Sequence, residues 1–250
     1  MPVHITHEHI TQLIAIESGV HYAELPPPER EAFVVHTRPS PVLLSAPHGA
    51  LTHRNRENET WHQEDEYTAG MALLLGALCG VAAIATLWRT AGEDPNYHPE
   101  RCSAYKRALK QVVETQHIRW VIDLHGASAN TSLIGEQHWV DLGTRRDLES
   151  LSRAHRDKLT HLTEAQLGAG RVHYNGYPAA KPHRTITAYS HGTLGLEAVQ
   201  VEMKPGVRVP FRRSDASLFA QGGPFAAQPE HVMGMVQALA DFVEYLLALA

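Results

Sequence analysis

Cysteine is nearly missing from this 250-residue chain, which has two, Cys79 and Cys102. Two thiols make neither a disulfide framework nor a thiolate zinc site. No apolar run approaches the ~20 residues of a membrane-spanning helix. The start, Met1-Pro2-Val3-His4-Ile5-Thr6-His7-Glu8, lacks the apolar core of a signal peptide. Basic residues are outnumbered, 22 Lys and Arg against 27 Asp and Glu, so neither nucleic acid nor an anionic membrane is favoured as a partner. Gly-x-Ser-x-Gly is absent too, which argues against a serine nucleophile on a strand–helix elbow. No repeat or low-complexity segment divides the chain. These absences predict a soluble, cytoplasmic protein with one domain over residues 1–250.

What remains is ordinary in bulk, 43% hydrophobic and 20% charged, and long enough to bury a sizeable core. The pattern along the chain alternates. Residues 22–40 are rich in proline and charge and read as an irregular lead-in. Residues 41–47 read as a strand and 49–62 as a polar loop. Residues 64–79 read as a helix stopped by Gly80, and Val81 to Trp88 as a second buried strand. Gly92-Glu93-Asp94-Pro95-Asn96 is a turn by its chemistry. A helix over 99–116 leads into a strand over 118–124. Arg146 to Leu167 is helical by spacing, and 168–193 reads as a second long loop. Leu194 to Met203 is a strand, Pro205 to Pro229 is irregular, and an amphipathic helix closes the chain. Strands alternating with helices predict a three-layer α/β/α fold with a mostly parallel mixed sheet.

Histidine is the outlier, at 18. Most of these read as exposed, so position matters more than number. Two of them stand just past buried strands and precede glycine: Ser45-Ala46-Pro47-His48-Gly49 and Asp123-Leu124-His125-Gly126. The carboxyl ends of strands are where an open α/β sheet builds its sites. Between the two words lies Glu64-Asp65-Glu66. Two imidazoles and one carboxylate can hold zinc and leave a position open for water. The plain alternative is that both His-Gly pairs only end strands. Asp123 and His125 fall on one side of their strand by period-two alternation. Asp123 can then be a carboxylate that fixes an imidazole tautomer from behind. In Leu196-Glu197-Ala198-Val199-Gln200-Val201-Glu202-Met203, Gln200 and Glu202 share one face and Glu197 lies on the other. Glu202, nearest the strand end, is either a base beside the site or an edge residue pointing to solvent.

Pro47-His48-Gly49, Glu64-Asp65, Asp123-Leu124-His125-Gly126 and Gly195 to Glu202 occur in the order seen in the N-formylglutamate amidohydrolase family. That family is related in fold to zinc carboxypeptidases and to the aspartoacylase and succinylglutamate desuccinylase group. The resemblance covers roughly residues 40–205. It implies a phosphorylase/hydrolase-like, zinc carboxypeptidase-like fold and one zinc per chain. It also implies hydrolysis of the amide bond of an N-acyl amino acid such as N-formylglutamate. By position, His48, Asp65 and His125 resemble the family's metal ligands and Glu202 its catalytic base, with Glu64 and Glu66 adjoining the carboxylate position. Relatives often carry an Asp-x-Asn-Arg word whose Arg grips a substrate carboxylate. Here Asp94-Pro95-Asn96 is followed by Tyr97. Asn96 keeps a substrate contact in this reading, and Arg89, Arg101 or Arg184 is left to replace the missing cation, with Arg89 taken first.

The expected partner is a small N-acyl amino acid or a short peptide. A metallopeptidase or peptidoglycan amidase on the same scaffold is the nearest alternative. A metal-free binding protein with a decayed site is the alternative from another class.

Overall fold

Val42–Ala46, Ala82–Thr86 and Trp120–Gly126 are almost wholly buried, as is Glu197–Met203. Apolar runs of this kind suit the middle of a parallel sheet, where both faces are covered. The computed structural model describes residues 2–55, 60–144, 149–177, 184–216 and 227–250. In chain order its elements are α1 (His7–Glu17), β1 (Phe33–His36), β2 (Val42–Ala46), β3 (Thr52–Asn55), β4 (Thr60–His62), α2 (Thr68–Cys79), β5 (Ala82–Thr86), α3 (Ala104–Gln116) and β6 (Trp120–Gly126). There follow β7 (Val140–Gly143), α4 (Arg153–Leu167), β8 (Val172–Tyr174), α5 (Ile186–Gly192), β9 (Glu197–Met203) and α6 (Pro229–Leu247).

Seven strands form one sheet in the order β1-β5-β2-β6-β9-β7-β8, and β3 pairs with β4 in a separate hairpin. β5, β2, β6 and β9 run parallel. β1 is antiparallel to β5 and β7 to β9, while β8 runs parallel to β7. Leu13 of α1, Leu74 of α2, Leu159 of α4 and Leu239 of α6 share a core with one face of the sheet. Leu109 of α3 and Ile186 of α5 pack with the other face. This is the three-layer α/β/α architecture with a mostly parallel mixed sheet. From β2 the chain crosses to β5 through α2. It then returns past β2 to β6 through α3, on the opposite face. The reversal opens a crevice beyond the carboxyl ends of β2 and β6, the place such a sheet offers a ligand.

Several short elements carried no sequence signal. β1 sits inside the proline-rich lead-in, β3 and β4 inside the 49–62 loop, and β8 and α5 inside the 168–193 loop. α1 and β7 also went unread. Strands of three or four residues are too short to display an alternation. The helix read from residue 64 starts at Thr68, so Glu64, Asp65 and Glu66 precede it. Its N-cap, Tyr67, is left-handed (φ 68°) and offers no side-chain cap. Glu17 of α1 takes that role from a distance, accepting hydrogen bonds from Tyr67 N at 2.7 Å and Gly70 N at 2.9 Å. A Cβ at Gly70 would lie 2.7 Å from Glu17 Oε2, so only glycine admits this contact. The start of the 146–167 helix, part of the second loop and residues 217–226 of the 205–229 stretch lie outside the described residues. Among the described residues no helix is long and apolar enough to cross a membrane.

Candidate metal centre

The face of the sheet turned toward α3 and α5 changes character along its strands. Leu43, Val121 and Ala198 are in its apolar part. Two residues on, the same row reads Ser45, Asp123 and Gln200, and one further step pairs His125 with Glu202. The opposite face stays apolar throughout, with Leu44, Ile122, Leu124, Val201 and Met203 in the larger core. Period-two alternation thus delivers polar groups to one side of the carboxyl end only.

His48, just past β2, and His125, near the end of β6, meet Asp65 there. Asp65 Oδ2 lies 3.6 Å from His48 Nδ1 and 3.3 Å from His125 Nδ1. One ligand atom from each of the three falls within 4.8 Å of the others, and all three residues are buried. The Asp65 backbone is fixed to His48, since Asp65 N donates to His48 O at 2.7 Å. Behind each ring stands a second carboxylate. His48 Nε2 is 2.9 Å from Asp94 Oδ1, and His125 Nε2 is 3.1 Å from Asp123 Oδ2. These carboxylates place the ring proton on Nε2 and turn the Nδ1 lone pair of both rings toward Asp65. Asp94 is itself held by Asn96 N at 2.8 Å and Arg54 Nε at 2.9 Å. Asp123 accepts from Ser45 Oγ at 3.0 Å.

This donor set fits a divalent metal. His48 Nδ1 is a buried atom with no hydrogen-bond partner, an arrangement that costs stability unless something else satisfies it. Burial opposes charge on His48, yet the Asp94 and Asp65 carboxylates together outweigh it and raise the ring's basicity. Asp123, with Asp65 and Glu202, does the same for His125 against the same burial. Burial also works against an ionised Asp65, but the adjoining His125 and His48 rings hold its carboxyl well below the usual carboxylate range. A field that retains protons on two buried rings favours a cation at their shared point.

The two glycines of the His-Gly words serve space rather than unusual backbone angles. A Cβ at Gly49 would lie 2.4 Å from Thr86 O and 2.5 Å from Ala69 Cβ. At Gly126 it would lie 2.7 Å from Arg208 Nη2 and 2.9 Å from Asp65 Oδ1. Both His-Gly segments pass too close to their neighbours for any side chain at the glycine.

Glu202 lies beside His125 in register and accepts a hydrogen bond from Gln200 Nε2. Burial pushes its carboxyl up to about 7. It lines a cleft of about 240 Å³ together with His48, His125, Asn96, Tyr97, Tyr177, Arg54 and Arg184. His62 of the β3–β4 hairpin lines the same cleft and stacks on His48 at 3.7 Å between ring centroids. Burial holds its pKa down to about 4.

Asn96 is in the cleft, with Nδ2 3.0 Å from His125 Nε2 and Oδ1 accepting from Ile186 N at 2.7 Å. Arg89 is not among the lining residues. Its backbone N is tied to Glu24 O in the lead-in segment, and its guanidinium lies over the Trp61 ring at 5.4 Å. Arg54 and Arg184 are the cations found in the lining instead. Sequence reasoning missed Asp94 as a partner of His48, and missed Arg54 and His62 altogether. The Asp-Pro-Asn turn was visible, but nothing local says which ring it faces.

No family profile matches the sequence, and no curated protein is similar to it by sequence. Solved structures are similar in fold. One is N-formylglutamate amidohydrolase from Ralstonia eutropha JMP134, with a TM-score of 0.55 at 15% identity over 88% of this chain and 99% of that one. A gene product of Agrobacterium tumefaciens gives a TM-score of 0.53 at 11% identity over 88% and 96%. The class defined here is a three-layer α/β/α fold with a buried His-Asp-His group at the carboxyl end of its sheet. Among solved proteins with that fold is the N-formylglutamate amidohydrolase, from the family that the motifs resemble.

Proposed function

We propose that this chain is a metal-dependent hydrolase of C–N amide bonds, acting on an N-acyl amino acid of the N-formylglutamate kind. One observation carries the reading: two buried imidazoles turn Nδ1 toward one carboxylate while Asp94 and Asp123 hold their far nitrogens. In this reading His48, Asp65 and His125 hold one zinc ion. When bound, zinc supplies a Lewis acid that polarises the amide carbonyl and lowers the pKa of water from 15.7 toward ~7.

Glu202 is the base of this proposal. It takes a proton from the attacking water as the new C–O bond forms, and returns it to the nitrogen as the C–N bond breaks. A carboxyl poised near neutral pH suits both transfers. Gln200 holds one Glu202 oxygen, which orients the other toward the reacting atoms. Asn96 contacts the substrate from the facing wall. The small cleft supports an amino-acid-sized substrate over a long peptide, since sites for larger ligands span ~300–1,000 Å³.

The test is a hydrolysis screen of N-formyl, N-acetyl and N-succinyl amino acids beside short peptides, with and without added zinc. Zinc-dependent turnover of an N-acyl amino acid is the expected result. Turnover of peptides alone moves the protein to the metallopeptidases. Absence of both bound metal and turnover leaves a binding protein.

A further inference from the structure

Gln200 carries a side-chain amide whose two ends have different surroundings. Its Nε2 donates to Glu202 Oε1. Its Oε1 is buried and has no hydrogen-bond partner. The residue is 5% exposed and lines the cleft beside Glu202 and Asn96. Buried acceptors are nearly always paired, so an exception calls for a donor from elsewhere.

The neighbouring side chains do not supply that donor. On its face of the sheet Gln200 stands in register with Asp123 of β6 on one side and Gly143 of β7 on the other. Asp123 is itself an acceptor, for Ser45 Oγ and Thr187 Oγ1, and Gly143 has no side chain. Glu202, two residues on, accepts from Nε2. A carbonyl oxygen among acceptors is complemented by an N–H or O–H of a ligand.

The choice between them follows from where Nε2 is held. Oε1 and Nε2 belong to one planar amide, so Oε1 lies close to the Glu202 carboxyl. In the hydrolase reading that carboxyl returns a proton to the scissile nitrogen, which brings this nitrogen within reach of Oε1. A secondary amide nitrogen carries one N–H from start to finish. Held on Oε1, the N–H sets the rotation of the nitrogen as it turns pyramidal, and the lone pair faces the proton on Glu202. The nitrogen takes that proton, the C–N bond electrons leave with it as the amine, and an oxyanion pair re-forms the carbonyl.

We propose that Gln200 is a specificity-determining residue whose Oε1 accepts the N–H of the scissile amide, selecting secondary amides over esters and N-methylated amides. The identity of the reacting group rests on the hydrolase reading, but the acceptor is testable by binding alone. The probes are N-(methylphosphonyl)glutamate, whose tetrahedral phosphorus stands for the attacked carbon, and its isostere with oxygen in place of the N–H. Each is titrated calorimetrically into zinc-loaded protein. Wild type binds the N–H probe about 10- to 100-fold more tightly, since the oxygen isostere leaves Oε1 unpaired. In Gln200→Met, which keeps the side-chain length without the amide, the two probes bind within about 3-fold of each other. Loss of the Nε2 contact acts through Glu202 on both probes, so their ratio reports Oε1.

Equal affinity for the two probes in wild type overturns the proposal, as does an N–H preference that survives in Gln200→Met. If that variant does not fold, wild-type turnover decides. N-formylglutamate is then cleaved at least about 10-fold faster than N-formyl-N-methylglutamate, and equal rates overturn the proposal. The two readings fail separately. If the N–H preference depends on Gln200 and no amide is cleaved, the acceptor stands and the hydrolase reading falls. If amides are cleaved and the probes bind equally, the hydrolase reading stands and the acceptor falls. Binding of neither probe also removes the acceptor.

Discussion

Nε2 of His48 lies 2.9 Å from Oδ1 of Asp94, in a contact where both residues are buried. Asp94 stands 46 residues away in sequence, in the turn after β5. It decides which nitrogen of His48 faces Asp65. Asp94→Asn therefore lowers zinc affinity about 10- to 100-fold without removing a ligand. His48→Ala lowers it further. Competition with a chromophoric chelator measures both, and an unchanged affinity in Asp94→Asn removes the carboxylate from the site.

Three acidic residues adjoin at positions 64–66, and the geometry separates them. Asp65 Oδ2 faces both rings. Glu66 instead lies near Arg208 and Arg212, and burial pushes its carboxyl up to about 7 despite them. Asp65→Ala loses metal, whereas Glu64→Ala and Glu66→Ala keep it. Zinc content by elemental analysis ranks the three. A greater loss in Glu64→Ala moves the ligand back by one residue.

Glu202→Gln keeps size and removes the carboxylate that acts as base in the proposed mechanism. Metal and fold are retained, and turnover falls by roughly 10²–10⁴. The sign of the pH dependence follows from the raised carboxyl. Below about 7 Glu202 holds its proton and cannot accept another. The turnover of wild type then rises with pH through that region, about tenfold per unit on the acid side. Glu202→Gln loses this limb. A variant that keeps both rate and limb excludes Glu202 as the base.

Gly126→Ala adds one methyl group between Arg208 Nη2 and Asp65 Oδ1, at 2.7 and 2.9 Å. Neither neighbour can yield without moving Asp65 or a buried guanidinium. Overpacking of this kind typically costs ~1–3 kcal/mol, and here it also weakens zinc binding. Urea denaturation of the metal-free protein, beside zinc titration, reads both effects. A variant with unchanged stability and affinity refutes the steric account.

The sequence by itself determined the parallel core. The runs at Val42, Ala82 and Trp120 are apolar enough to be buried on both faces, as the central strands of a parallel sheet are. It also determined that two histidines and Glu202 stand at strand ends, because each follows directly on such a run. The side of Asp123 and His125 followed from alternation alone. Tertiary structure decided the rest. Strand order brought β2, β6 and β9 together, and only that order lets His48, His125 and Glu202 meet. Asp94 reaches His48, and Arg184 the cleft, from loops whose sequence carries turn chemistry and no direction. Arg89 fell outside the lining for the same reason: a hydrogen bond to residue 24, far away in sequence, sets where its backbone runs. Burial of each segment is a local property of its side chains, whereas convergence depends on the packing of all segments at once.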